Sequence, residues 1–190
     1  MEREYYEMPE SAVKILKQKK ALIIIPPSNF SDEEFTYVYA YLKNAKINVR
    51  VASTKESAVG IMGTKVKPDL KLSDVKVDEF DAVLLIGECT GIVKHDMSNN
   101  NEILDLLKKA DKKKKIVAGT GMAPRIMAAA GIVKNKMLTA WRDPEIVEFL
   151  KQSGASYIWE PVVSDENIIT ADSPSSVRMF VKMLIDAFTR

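Results

Sequence analysis

The chain has 190 residues, a length that suits one large domain. Its 46% hydrophobic and 28% charged fractions are ordinary for a folded globular protein and exclude collagen-like, mucin-like and wholly disordered chains. Twenty-eight Lys and Arg against 26 Asp and Glu leave a formal charge of +2, too even to indicate a nucleic-acid groove or a membrane-binding face.

The first predicted element is a helix over Glu10 to Lys19, which stands outside the alternation that follows; residues 1–19 therefore read as an extension and residues 20–190 as one α/β domain. Ala21 to Ile25 is a run of aliphatics without alternation, the pattern of a strand buried on both faces of a parallel sheet. Ser31 or Asp32 then caps a helix with Phe35, Val38, Leu42 and Ala45 at steps of three and four. Val49 to Ala52 makes a second strand, and Gly60, Gly63 and Pro68 mark a loop-rich excursion. Val83 to Ile86 is a third doubly buried strand. Ile103, Leu106, Leu107 and Ala110 place a helix that ends at the Lys112 to Lys115 run, where cations suit a helix C-terminus. Ile116 to Ala118 is a fourth strand, followed almost at once by a helix carrying Ile126, Met127 and Ala130 and closed by Gly131.

The remainder predicts a helix over Pro144 to Gln152, short strands around Tyr157 and at Pro161 to Val163, and a hairpin-like return at Ile168 to Thr170. A last helix follows, with Val177, Phe180, Val181, Leu184, Ile185 and Phe188 on one face. Strand and helix alternate throughout, so the expected fold is a single-domain three-layer α/β/α sandwich around a mostly parallel, flavodoxin-like sheet.

Cys89 is the one cysteine and His95 the one histidine, which exclude an internal disulfide and any site built from several imidazoles. Neither a metal nor a cofactor is expected. The opening residues Met1 to Glu4 are charged where a signal peptide needs an apolar run, and no apolar stretch approaches the length of a membrane span; the expected compartment is the cytoplasm.

In an open parallel sheet, ligands bind beyond the carboxyl ends of the strands. Four loops qualify by position: Pro26 to Asp32, Gly87 to His95, Gly119 to Ala123, and the segment near Ala171 to Ser173. The turn Gly119-Thr120-Gly121-Met122-Ala123-Pro124 fuses a strand to a helix, a place where a residue is often held at positive φ and projects into a pocket.

Five segments together carry a family resemblance: ALIIIPPSNFSDEEF, NVRVAST, DEFDAVLLIGE, IVAGTGMAPRIMAAAGIVKNK and VVSDENIITADSP. From Lys20 to Phe188 the chain resembles the ThiJ/PfpI family of the class I glutamine amidotransferase-like superfamily. The resemblance implies an acidic residue after the first strand, at Glu34 with Glu33 as the alternative. It also implies an oxyanion-hole loop at Ile86, Gly87 and Glu88, where the family's second glycine is missing. The family elbow has the form Ala-x-Cys-His-Gly-Pro. Here the cysteine position falls on Gly121, the histidine on Met122 and the glycine on Ala123, and only Pro124 is retained.

A glycine has no side chain to attack with, so the family's thiolate chemistry is expected to be absent. Thr120 is a poor substitute: its hydroxyl is expected to face the other side of the strand, with no His near it in sequence. Cys89, with His95 six residues on, is a candidate relocated nucleophile, a residue lining the site without chemistry, or an inert packing thiol.

Glu34 and Glu88 would share the cleft under the family pattern, and two carboxylates there would recruit a cation or keep a proton. In the alternative, Glu88 turns to solvent and Glu34 bonds local backbone amides. The glycines of Gly119-Thr120-Gly121 could cradle an anion, but the fit to a dinucleotide fingerprint is poor, because Pro124 stands where the third glycine belongs. Trp141 and Trp159 border the cleft or an oligomer face, or belong to the core.

The leading expectation is a non-catalytic homologue that binds a small ligand or regulates, with candidate ligand residues Glu34, Gly87, Glu88, Cys89, Thr120, Gly121 and Met122. It is a homo-oligomer, dimer favoured by analogy with relatives, without nucleic-acid or membrane partners. The rivals are a hydrolase or lyase of the peptidase, deglycase or glyoxalase kind using Cys89 or the Glu34/Glu88 pair, and a structural assembly subunit.

Overall fold

The computed structural model describes residues 9–88 and 97–190. In chain order the strands are β1 (Lys20–Ile24), β2 (Ser28–Phe30), β3 (Asn48–Ser53), β4 (Ala58–Gly60), β5 (Lys65–Val66), β6 (Leu70–Lys71), β7 (Ala82–Leu85), β8 (Ile116–Thr120), β9 (Met137–Leu138), β10 (Ser156–Tyr157), β11 (Val162–Asp165) and β12 (Ile168–Ala171). The helices are α1 (Glu10–Leu16), α2 (Asp32–Asn44), α3 (Asn101–Lys112), α4 (Pro124–Ala129), α5 (Pro144–Gln152) and α6 (Val177–Thr189).

The main sheet runs β11-β12-β8-β7-β1-β3-β6, parallel except for the β11–β12 hairpin. Its central order is the flavodoxin-like one, with the switch point between β1 and β7. Continuous aliphatic strands follow from burial on both faces. Leu22 and Ile24 of β1 and Val83 and Leu85 of β7 join one core with Ile103, Leu107, Met127 and Leu150 from α3, α4 and α5. Ala21, Ile23 and Leu84 face the other core, with Leu16, Phe35, Leu42, Phe180 and Leu184 from α1, α2 and α6. The three layers are thus helices, sheet and helices.

Helix starts carry the caps that their sequences offer. Ser31 Oγ accepts from the Glu34 amide, Asn100 Oδ1 from the Ile103 amide, and Asp143 Oδ1 from those of Glu145 and Ile146. Each such cap stabilises its helix by about 1 kcal/mol.

Three expectations are corrected. The loop-rich excursion after Val49 to Ala52 contains structure: β4 and β5 join β2 in a small second sheet, and β6 forms the edge of the main one. That sheet is tied to α2 by the buried Asp32, whose carboxylate accepts from the Met62 and Thr64 amides at 2.8 Å each. The N-terminal helix stops at Leu16, because Lys20 already pairs with Asn48 in the sheet. Trp141 and Trp159 are not core residues; they are 49% and 66% exposed. Among the described residues no helix is long and apolar enough to cross a membrane.

Candidate functional site

The carboxyl ends of β1, β7, β8 and β12 bring four segments together at the switch point. Glu34 sits in the first turn of α2, one turn after its Ser31 cap, and its side chain is driven inward because Phe35 and Val38 fix which face of α2 meets the sheet. The loop after β7 is bound to this entry: the Ser31 amide donates to the Gly87 carbonyl at 3.1 Å, and Glu88 forms an isolated antiparallel bridge with Phe30.

Gly121 lies directly after β8 at φ +56°, in the left-handed region where a residue with Cβ is strained. Its amide donates to the Ala171 carbonyl and its carbonyl accepts from the Trp141 amide, so the turn is held by two further segments. A Cβ built on Gly121 would stand 3.6 and 3.8 Å from the two carboxylate oxygens of Glu34. The missing side chain would therefore point at Glu34. Gly87 is required for a different reason: a Cβ there would stand 2.6 Å from the Thr120 carbonyl oxygen. The strand end and the β7 loop touch backbone to backbone.

Thr120 overturns the expectation that its hydroxyl faces away from the site. Fully buried, it donates to Glu34 Oε2 at 3.0 Å and accepts a long bond of 3.4 Å from the Gly87 amide. The reason is the positive φ of the next residue, which turns the chain out of strand alternation so that positions 120 and 121 both serve Glu34. Glu34 in turn does not bond local backbone amides through its carboxyl; Oε2 takes Thr120, and Oε1 is buried with no hydrogen-bond partner among the described residues.

Burial pushes the Glu34 carboxyl up from 4.5 to about 7, against the lowering effect of the Thr120 and Ser31 hydroxyls, and the charges of Glu33 and Asp172 add to the rise. A carboxyl poised there changes protonation near neutral pH and can act as hydrogen-bond donor or acceptor.

Asp172 went unmarked in the sequence, although its loop stood among the four chosen by position. It is buried just after β12, where Oδ1 accepts from the hydroxyls of Ser173 at 2.7 Å and Ser176 at 2.5 Å. Arg142 reaches Oδ2 at 3.2 Å and lies over the Trp159 ring, 4.4 Å from its centroid. The signal that could have found this pair was the acidic residue directly after an aliphatic strand.

Met122 is half-buried and packs against the α3–α5 core. The amides of Gly121 and Ala123 are taken by the Ala171 and Thr120 carbonyls, which leaves the Gly119 to Gly121 turn poorly suited to cradle an anion. Glu88 is half-buried at the edge of the site. Cys89 and His95 lie outside the described residues. Among the described residues no group of three or more His, Cys, Asp or Glu is arranged to hold a metal ion.

Comparison with known proteins agrees with this fold. The chain is 36% identical over 166 residues to an uncharacterized protein of Methanocaldococcus jannaschii, covering 87% of this chain and 80% of that one. It is 30% identical over 171 residues to the deglycase PfpI of Pyrococcus furiosus, covering 86% of this chain and 98% of the relative. The crystal structure of a ThiJ/PfpI domain protein from Brachyspira murdochii superposes with a TM-score of 0.81 at 29% identity, over 88% of this chain and 94% of that one. Drosophila melanogaster DJ-1beta does so with 0.80 at 28%, over 90% and 91%. The sequence model of the DJ-1/PfpI family matches residues 19–187, and with the flavodoxin-like sheet and the turn at Gly121 these likenesses place the chain in the DJ-1/PfpI family.

Proposed function

We propose that this protein is a non-catalytic homologue that binds a small ligand or serves a regulatory role, on the DJ-1/PfpI fold without the elbow cysteine chemistry of the family. The observation that carries this reading is Gly121, whose absent side chain would point at the buried Glu34 carboxyl. A nucleophile is the one component that the surrounding groups cannot replace. Glu34, Thr120 and Gly121 then form the floor of a binding pocket, with Gly87, Glu88, Cys89 and Met122 as its further candidates.

A second reading follows from the names of relatives, several of which are deglycases and one a glutathione-independent glyoxalase. In it the chain is a hydrolase or lyase using Cys89 or the Glu34/Glu88 pair. Consumption of methylglyoxal, and release of amine from a glycated amino acid, separate the two. The binding reading expects wild type, Cys89→Ala and Glu34→Gln all at the uncatalysed rate. Turnover by the wild type that Cys89→Ala abolishes establishes the relocated nucleophile, and turnover lost in Glu34→Gln or Glu88→Gln establishes the carboxylates.

The same proposal includes a homodimer in the cytoplasm, with residues 1–19 as an extension of the 20–190 domain. Exposed Trp141, Trp159 and Met179 provide apolar surface for self-association. Light scattering that gives the monomer mass at every concentration overturns the dimer.

A further inference from the structure

We propose that the space in front of Gly121 receives a small primary ammonium group, which donates to Glu34 Oε1. The inference rests on the ligand-binding reading above and narrows it to one chemical class.

The first support is an unmet hydrogen bond. Glu34 is 1% exposed; the Thr120 and Ser31 hydroxyls favour its charged form and Thr120 bonds Oε2, while Oε1 has no hydrogen-bond partner among the described residues. A buried charged acceptor without a donor is unstable relative to one that has it, so a group that brings an N–H there is held.

The second support is room. Apart from its chain neighbours Thr120 and Met122, a Cβ on Gly121 would have only the two Glu34 oxygens within 4 Å among the described residues, at 3.6 and 3.8 Å. An atom placed slightly beyond that position stands at hydrogen-bonding distance from Oε1. The backbone around it is already committed, since the Gly121 amide and carbonyl bond Ala171 and Trp141. The free acceptor at this spot is thus the carboxylate.

The third support is sign. Among the described residues the charges that act on Glu34 are those of Glu33 and Asp172, both negative, and Arg142 is engaged by Asp172 and the Trp159 ring. A cation is favoured over a neutral or anionic group in such a field. A metal ion is the weaker occupant, because hard cations take six or more oxygens and no group of three or more ligating side chains is assembled among the described residues. An ammonium carries its own directional donors and needs one carboxylate.

The test is titration of the full chain with methylammonium chloride at about pH 8.5, above the Glu34 titration and below that of an alkylamine. Sodium chloride and tetramethylammonium chloride at matched ionic strength are the controls, and calorimetry and melting temperature the readouts. Methylammonium is expected to bind saturably and raise the melting temperature. Tetramethylammonium, with the same charge and no N–H, is expected to do neither. Glu34→Gln, nearly isosteric, is expected to weaken binding by about tenfold or more. Gly121→Ser, which fills the same space and brings its own hydroxyl to the carboxylate, is expected to give the same loss with Glu34 itself unchanged. Equal response to tetramethylammonium, or unchanged affinity in folded Glu34→Gln and Gly121→Ser, overturns the proposal. Acetate and acetamide run in parallel separate two failures. If either binds in a Gly121-dependent way while methylammonium does not, the pocket stands and the amine class falls; if none binds, both fall.

Discussion

Arg142 holds Asp172 from outside while Ser173 and Ser176 hold it from within: one carboxylate oxygen lies 3.2 Å from the guanidinium and the other takes both hydroxyls. Since Asp172 also raises the Glu34 carboxyl, this half-exposed arginine and buried aspartate tune a second buried group. Arg142→Met removes the countercharge and leaves the stacking surface on Trp159 largely covered. The expected loss of stability is about 1 to 2 kcal/mol, because one partner is half exposed and screened. Titration of Glu34, followed by carboxyl NMR, should move further upward. No movement would show that the Asp172 charge is not felt at Glu34.

Glu34 makes the protein less stable as pH rises through the neutral range. Its carboxyl titrates near 7 in the folded chain against 4.5 ordinarily, so between those values the folded state binds more protons than the unfolded one. The associated stability is present below about 4.5, falls steadily to about 7 and stays lost above, in total on the order of 3 kcal/mol. Glu34→Gln should therefore flatten this part of the profile and be the more stable chain at alkaline pH. Denaturant midpoints of both chains at acid, neutral and alkaline pH decide it; a wild-type minus variant difference that is constant with pH sinks the prediction.

Thr120→Val removes the donor to Glu34 and the acceptor of the Gly87 amide with little change of shape. It should cost about 1 to 3 kcal/mol, most of it above neutral pH, where the carboxylate needs the hydroxyl. Thr120→Ser keeps the hydroxyl and should recover the larger part. A Thr120→Val chain as stable as wild type above neutral pH, or less destabilised than Thr120→Ser, would mean that the methyl packing matters more than the hydroxyl's hydrogen bonds.

Gly121→Cys with Met122→His, made in a Cys89→Ala background, tests the identity of the turn. The positive φ should cost about 1 to 2 kcal/mol for the added Cβ. The new thiol should label at neutral pH faster than an unstructured cysteine peptide, because a protonated Glu34 can donate to the thiolate. Labelling no faster than the peptide would count against the alignment of Gly121 with the family elbow.

Much of this architecture is legible from the chain. Ala21 to Ile25 and Val83 to Ile86 read as strands because burial on two faces leaves no polar positions, and Pro144 marks its helix start because proline needs no amide partner there. The rule that ligands gather at the carboxyl ends of strands selects the loops that hold Gly87 and Gly121, while Glu34 is picked out by the family resemblance. The direction of Thr120 was not legible, since period-two alternation fails where the next residue enters the left-handed region. The approach of Asp172 to Glu34 was also hidden, because no local pattern reports a charge that acts across the sheet. The two-residue strands β5 and β6 are too short for periodicity to register.

The clamp between the Ser31 amide and the Gly87 carbonyl, together with the anchoring of Asp32 on the 62–64 turn, has an engineering corollary. The aim of Glu34 is set by neighbours that do not involve the residue at 121. Position 121 is thus a socket facing a prealigned acid, where a grafted side chain meets the carboxyl directly and carries the strain of the left-handed backbone as its cost.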